Sequence, residues 1–101
     1  MNVYSAIGRL TKAPHLTYTD GLAKCEMVIA VEDRIARRTD FIPIVIWRDL
    51  AEYCANYLVK GQKIGVTGKL RSHNYQRGGM NLTRYEVEAY EVDFGQAPKR
   101  N

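Results

Sequence analysis

Residues 39–73 read TDFIPIVIWRDLAEYCANYLVKGQKIGVTGKLRSH, and their hydrophobic period changes twice. Isoleucine recurs at every second position from 42 to 46, which predicts a strand with an apolar inner face. Residues 49–61 repeat their apolar side chains at helical spacing instead, and alternation returns over residues 62–73. We therefore predict a strand, a helix of about three turns and another strand, in that order.

The predicted helix carries signals at both ends. Asp49 and Glu52 lie three residues apart, as in a capping box. Lys60 and Gly61 supply a cationic last turn and a left-handed stop. The apolar stripe, which we expect to pack on the core, consists of Leu50, Cys54, Tyr57 and Leu58, with Ala51 and Ala55 beside them.

The segments before residue 39 alternate with a period of two. Residues 3–10 predict a first strand, and Pro14 excludes its continuation as a central strand because proline has no N–H to donate. Residues 23–32 predict a second strand, and residues 33–40 a polar loop. The inward face of the second strand is Ala23, Cys25, Met27, Ile29 and Val31.

The segments after the helix predict two more strands, which turn at Gly78-Gly79. The inward residues of the first of them are Ile64, Val66 and Leu70. In the last strand the residues Tyr85, Val87 and Ala89 alternate on one face, and from residue 90 the alternation continues at even positions with Tyr90, Val92 and Phe94. Because the parity slips by one residue, we predict a β-bulge near Ala89.

The predicted order is three strands, one helix and two strands. Five strands form a small sheet, which must close on itself to bury its edges. This order predicts an all-β fold, a five-stranded OB-fold barrel with one α-helix between strands 3 and 4. We assign residues 1–95 to this barrel domain and residues 96–101 to a short basic flexible tail.

Composition narrows the classes of function. Fifteen Lys and Arg against eleven Asp and Glu give the 101 residues a net charge of +4, which suits a polyanionic partner. Because the sequence has neither a membrane-length apolar run nor an export signal, we expect a cytoplasmic protein. Cys25 and Cys54 lie apart among apolar neighbours, and His15 and His73 are isolated. We therefore expect two small buried hydrophobes and no metal, cofactor or catalytic site.

Residues 69–82, KLRSHNYQRGGMNL, place basic or titratable side chains and a ring on one face of the fourth strand. These residues are Lys69, Arg71, His73, Tyr75 and Arg77. Like charges this close on an antiparallel sheet destabilise the fold unless something anionic lies across them. The alternative is a solvated hairpin whose charges prevent aggregation of an edge.

Large rings also lie opposite the isoleucines of the third strand, on the face that holds Phe41, Pro43, Val45 and Trp47. An OB barrel presents its binding face from strands 2 and 3, which favours a functional role for Phe41. For Trp47, a protein interface or a second small core under the helix is an equal alternative. Exposed rings beside Arg and Lys provide base stacking and phosphate contacts, which predicts sequence-independent binding of single-stranded nucleic acid.

Three segments resemble the bacterial single-stranded DNA-binding protein family: IGRLTKAPHLTYTDG, DFIPIVIWRDLAEYCANYLVKGQKIGVTGKLRSHNY and YEVEAYEVDFG. The resemblance covers nearly the whole chain and implies an OB fold, a homotetramer and binding of single-stranded DNA in replication, recombination and repair. It implies stacking rings at Phe41, Trp47 and Tyr75. It also implies phosphate contacts from Lys69, Arg71 and Arg77, with Arg9, Arg48 and Arg84 as weaker candidates.

The sequence departs from the family pattern in two places. The loop over residues 33–40 is short, and Ile35 stands where members often have a stacking ring, so we expect a reduced affinity or footprint. Residues 97–101 are basic, whereas members usually continue into a flexible linker and an acidic tip that recruits partner enzymes. We expect either a trimmed chain or a tailless variant from a phage or mobile element.

Two other interpretations remain open at this point. One is a primosomal accessory OB-fold protein, a dimer that hands DNA to a helicase loader. The other is a protein-interaction module that uses the exposed rings. The sequence also leaves open the choice between DNA and RNA, and between a tetramer and a dimer.

Overall fold

The computed structural model describes residues 1–95. Along these residues the elements are β1 (Tyr4–Leu10), β2 (His15–Thr19), β3 (Leu22–Asp33), β4 (Arg38–Trp47), α1 (Arg48–Tyr57), β5 (Lys63–Arg77) and β6 (Met80–Phe94). The helix connects β4 to β5, where the change of hydrophobic period predicted it.

The strands form one sheet that closes on itself. Its order is β1-β5-β6-β4-β3-β2, and β1 also pairs with β3 through Arg9 opposite Ala30 and Leu10 opposite Ile29. All neighbours are antiparallel except β4 and β6, which run parallel with Ile44 opposite Val87. This closed ring confirms the predicted OB-fold barrel.

The first barrel strand is split into two pieces, which the sequence analysis did not predict. The chain leaves the sheet after Leu10 and rejoins it as β2, with Leu16 opposite Cys25 on β3. Pro14 interrupts the ladder only locally, and Thr11 already donates its backbone N–H to the Val28 oxygen at 3.0 Å. Because β1 and β2 pair with successive parts of β3, together they occupy one position in the five-stranded ring.

The core fills the barrel interior and extends under the helix. Its buried members are Leu10, Ala23, Cys25, Met27, Ile29, Ile44, Ile46, Ala51, Cys54, Leu58, Ile64, Val66, Val87 and Ala89. The two free cysteines are both fully buried, and burial raises the pKa of Cys25 to about 11 and that of Cys54 to about 12. Both thiols therefore stay protonated at neutral pH, which confirms that they serve as small hydrophobes.

The inward face predicted for β3 is confirmed, but burial does not follow the strand alternation at Val45 and Leu70. Val45 lies opposite the isoleucine face of β4 yet is only 4% exposed, because Glu26 on β3 and Glu88 on β6 flank it on both sides. Leu70 was expected inside but is 46% exposed. Beyond Gly68 the residues of β5 are exposed, since here β5 and β6 leave the barrel as a two-stranded arm.

The helix ends differ from the prediction. Helix α1 begins at Arg48, and its N-cap residue Trp47 makes no capping hydrogen bond through its side chain, so the expected capping box is absent from these residues. Gly61 does adopt a positive φ of 85°, but it lies in a turn after the helix has ended and donates its N–H to the Leu10 oxygen at 2.8 Å. Tyr57 is 62% exposed and does not belong to the buried stripe.

The turn and the bulge of the β5–β6 hairpin are confirmed. Gly78 and Gly79 both have positive φ, at 59° and 78°, which the tight turn between the two strands requires. The register shifts between Thr67 and Gly68, which pair with Glu91 and Ala89, so Tyr90 is left without a partner as the bulged residue. Tyr90 is consequently exposed rather than directed inward as predicted.

The predicted loop over residues 33–40 contracts to a turn of four residues between β3 and β4. The Asp33 carboxylate accepts the backbone N–H groups of Ile35 and Ala36 at 3.1 and 3.0 Å. Ile35 itself is 98% exposed. The basic tail predicted for residues 96–101 lies outside the described residues.

Burial predicts how two isoleucines differ in their contribution to stability. Ile44→Ala removes a side chain that is 2% exposed and leaves a cavity, so we expect the free energy of unfolding to fall by about 2–5 kcal/mol. The matched control Ile35→Ala removes the same atoms from an exposed turn and should change it by less than about 0.5 kcal/mol. Urea denaturation measures both, and equal losses would contradict the assignment of the core.

Candidate nucleic-acid interface

Three neighbouring strands present their outward residues on one continuous surface, which we call the outer sheet face. Across β4 and β6, Val45 lies opposite Glu88, and across β6 and β5, Glu88 lies opposite Lys69. Residues that lie opposite each other in a sheet point to the same side. The outer sheet face therefore comprises Phe41, Pro43, Val45, Trp47, Arg84, Glu86, Glu88, Lys69, Arg71, His73, Tyr75 and Arg77.

Two predicted stacking rings are exposed on this face. Phe41 is 64% exposed, because its partner on β3 is Ala30, whose methyl group leaves the ring uncovered. Tyr75 lies on the arm opposite Leu82 and is 43% exposed. Aromatic faces open to solvent on a sheet are the platforms on which OB-type barrels stack bases.

Trp47 occupies a different environment. It is half-buried at the junction of β4 and α1, and the Lys24 ammonium lies 5.3 Å from its ring centroid. Lys24 is also its direct cross-strand partner on β3. The cation over the ring contributes a cation–π interaction and adds a positive charge to this end of the outer sheet face.

The basic strip of the arm already has anionic partners within the chain. An Arg71 Nη atom lies 3.3 Å from a Glu88 carboxylate oxygen, and His73 Nε2 lies 3.0 Å from Glu86. Arg84 lies 3.8 Å from the same Glu86 oxygen. The anionic groups that we expected to lie across the strip are therefore supplied in part by the chain itself, because β6 places two carboxylates opposite the strip.

The remaining predicted residues are dispersed. Arg77 lies at the tip of the arm opposite Met80, and Arg48 is the exposed first residue of α1 with a positive φ of 65°. Arg9 belongs to β1 and donates to the Gly61 oxygen at 3.1 Å. It lines a separate groove with Arg34 and Lys63, so the structure does not bring it onto the outer sheet face.

A groove of about 330 Å³ crosses the outer sheet face between β4, β6 and the start of β2. Its lining includes Pro43, Val45 and Arg84 together with Lys12 and His15, which sequence reasoning missed. The sequence around Lys12 and His15 does not indicate a binding role. The two residues lie near Arg84 only because the chain folds back along β3. Lys24 was missed for a similar reason, since its contact with Trp47 follows from the strand register.

Other kinds of site find no support in residues 1–95. Within that range no three His, Cys, Asp or Glu side chains are grouped so that they could hold a metal ion. No helix in the same range is long and apolar enough to cross a membrane.

A closed OB barrel with exposed rings and basic side chains on one sheet face defines the class of oligomer-binding β-barrels that includes single-strand binders. Residues 1–95 match the model of the single-strand binding protein family, and the chain belongs to that family.

Curated relatives cover most of the chain. It is 42% identical to "Single-stranded DNA-binding protein 2" of Clostridium acetobutylicum over 93% of its own length and 76% of the relative's. It is 44% identical to "Single-stranded DNA-binding protein" of Bacillus cereus over 93% of its own length and 59% of the relative's. It is 40% identical to "Single-stranded DNA-binding protein A" of Bacillus subtilis, again over 93% of the chain and 59% of the relative.

The contact between Lys24 and Trp47 gives a spectroscopic prediction. Lys24→Ala uncovers one side of the only tryptophan in the chain, so we expect acrylamide to quench its fluorescence more efficiently. The control Lys63→Ala removes an equal charge from β5, away from the ring, and should leave the quenching constant unchanged. Equal quenching in both variants would show that Lys24 does not cover Trp47.

Proposed function

We propose that this chain binds single-stranded DNA without reading its sequence and protects it during DNA replication, recombination or repair. The observation that carries the proposal is the exposed Phe41 ring on the same sheet face as Arg71 and Arg84. A ring stacks on any base, and a guanidinium contacts any phosphate, so neither contact selects a sequence. The names of the relatives support DNA as the ligand.

Within this proposal the site residues have distinct roles. Phe41 and Tyr75 stack on bases, and Trp47 forms the end of the stacking track beside α1. The phosphate contacts come from Lys69, Arg71, His73, Arg77, Arg48 and Arg84. Arg9 contacts the strand only where the strand leaves the outer sheet face and passes around β1.

The proposed activity is binding without catalysis. The outer sheet face presents rings and cations, and its titratable groups His73 and Glu86 are paired with each other rather than with a nucleophile. We place this activity in the cytoplasm, where the single strands of a bacterial chromosome arise. Fractionation of cells would contradict that placement if the protein were recovered outside the cytoplasm.

The proposal is tested by affinity for oligo(dT) and for a duplex of equal length. We expect Phe41→Ala to weaken binding of oligo(dT) by roughly 1–3 kcal/mol, since one stacking contact is lost. The control Tyr57→Ala removes a ring of similar exposure from α1 and should leave the affinity unchanged. Fluorescence anisotropy with labelled oligonucleotides measures both, with oligo(U) as the comparison for RNA.

Two outcomes would contradict this function. The first is equal affinity for the duplex and the single strand. The second is an affinity that does not respond to salt, because phosphate contacts on single strands give a log–log slope near −0.7 per phosphate neutralised.

We further propose that the chain assembles as a homo-oligomer, a tetramer or a dimer. Val3 precedes β1 and is 61% exposed, and Ile7 on the outside of β1 is 63% exposed, so a neighbouring copy would remove both from water. Light scattering should give the mass of at least two chains, and Ile7→Lys should lower it. A wild-type mass of one chain would contradict the assembly.

A further inference from the structure

Two carboxylates lie inside the basic strip of the outer sheet face, and we call them the glutamate pair, Glu86 and Glu88. Both point to the same side of the β5–β6 hairpin as Lys69, Arg71 and His73, because these residues lie opposite one another in the register. The ion pairs run diagonally, from Arg71 to Glu88 and from His73 to Glu86, and Arg84 shares Glu86 along β6.

The pair of Arg71 with Glu88 contributes little to folding. The two side chains are 47% and 37% exposed, so solvent screens this pair, whereas Glu86 is only 15% exposed and its contacts with His73 and Arg84 are more sheltered. The barrel below is held by buried apolar residues, of which Val87 lies between the two glutamates along β6. Stability therefore does not explain why Glu88 lies among the basic residues of the outer sheet face.

The position of the glutamate pair matters for an arriving phosphate. Lys69, Arg71, Arg77 and Arg84 provide four permanent positive charges on this part of the face, and the glutamate pair offsets two of them. Glu88 lies 3.3 Å from one Nη atom of Arg71, and the other N–H groups of the guanidinium are available to a phosphate, so a phosphate bound there lies beside a carboxylate of the same charge. Repulsion between the two anions reduces the gain from the contact.

We propose that the glutamate pair weakens the binding of single-stranded DNA, so that the strand is held by partly neutralised cations and is released readily. This inference rests on the proposed function and extends it from the residues that attract the strand to those that limit its affinity. We also expect the salt dependence of binding to be shallower than the number of basic residues on the face suggests, because Glu88 already neutralises part of the charge on Arg71.

The test compares two substitutions that change the net charge equally. Glu88→Gln removes the carboxylate paired with Arg71, and Glu91→Gln removes one further along the same strand that makes no ion pair among residues 1–95. We expect Glu88→Gln to tighten binding of oligo(dT) by about three- to tenfold at low salt, and Glu91→Gln to change it by less than about twofold. The log–log salt slope of Glu88→Gln should steepen by up to about 0.7.

A double-mutant cycle separates this effect from general electrostatics. Arg71→Ala should weaken binding only modestly in the wild-type chain, where Glu88 partly neutralises the guanidinium. The same substitution should cost several-fold more in the Glu88→Gln background, where Arg71 is free to bind phosphate. A thermal melt of each variant establishes that the barrel is folded.

The outcomes distinguish this inference from the function on which it rests. If the wild-type chain binds oligo(dT) and Glu88→Gln binds no more tightly than Glu91→Gln, the glutamate pair does not limit affinity and this inference alone is overturned. If Arg71→Ala has the same effect in both backgrounds, the pairing with Glu88 is irrelevant to binding. If neither the wild-type chain nor any of the variants binds oligo(dT), the proposed function fails and this inference fails with it.

Discussion

Closure of the sheet between β1 and β3 is the constraint on which the rest of this structure depends. At this seam the two backbones approach so closely that a Cβ atom on Gly8 would lie 2.7 Å from the Ala30 oxygen. Closure gives every strand except β2 two neighbours and fixes which side of each strand is interior. The outer sheet face exists because β4, β6 and β5 are held in one register around this ring.

The outer sheet face extends beyond the barrel onto the two-stranded arm. A bulge at Tyr90 changes the parity of β6, and past it β5 and β6 continue together as the arm. Phe41 lies on the barrel wall and Tyr75 on the arm, so a bound strand would run from one to the other. Among the basic residues between them, Arg71, His73 and Arg84 lie beside Glu88 or Glu86, and on the proposal above these carboxylates limit the affinity that the positive charge supplies.

Much of this architecture could be predicted from the sequence, because local patterns carry it. Alternating isoleucines, one helical period and two consecutive glycines predicted the strands, the helix and the hairpin turn, and a slip of parity predicted the bulge. The features that could not be predicted are those that depend on which strands are neighbours. Pro14 interrupts the pairing of the first strand, yet β2 forms after it because residues 15–19 pair with β3. The partners Lys24 and Glu88 became visible only when the register was known.

The burial errors have the same origin. Val45 alternates as an outward residue and is buried by neighbours on both sides, whereas Leu70 alternates as an inward residue and lies beyond the end of the barrel.

Binding of single-stranded DNA on the outer sheet face can be tested by titrating the ¹⁵N-labelled protein with oligo(dT) and following the amide chemical shifts. We expect the largest changes in residues 38–47 and 69–86, with the buried part of α1 unchanged. Changes centred on α1, or spread evenly over the chain, would contradict it.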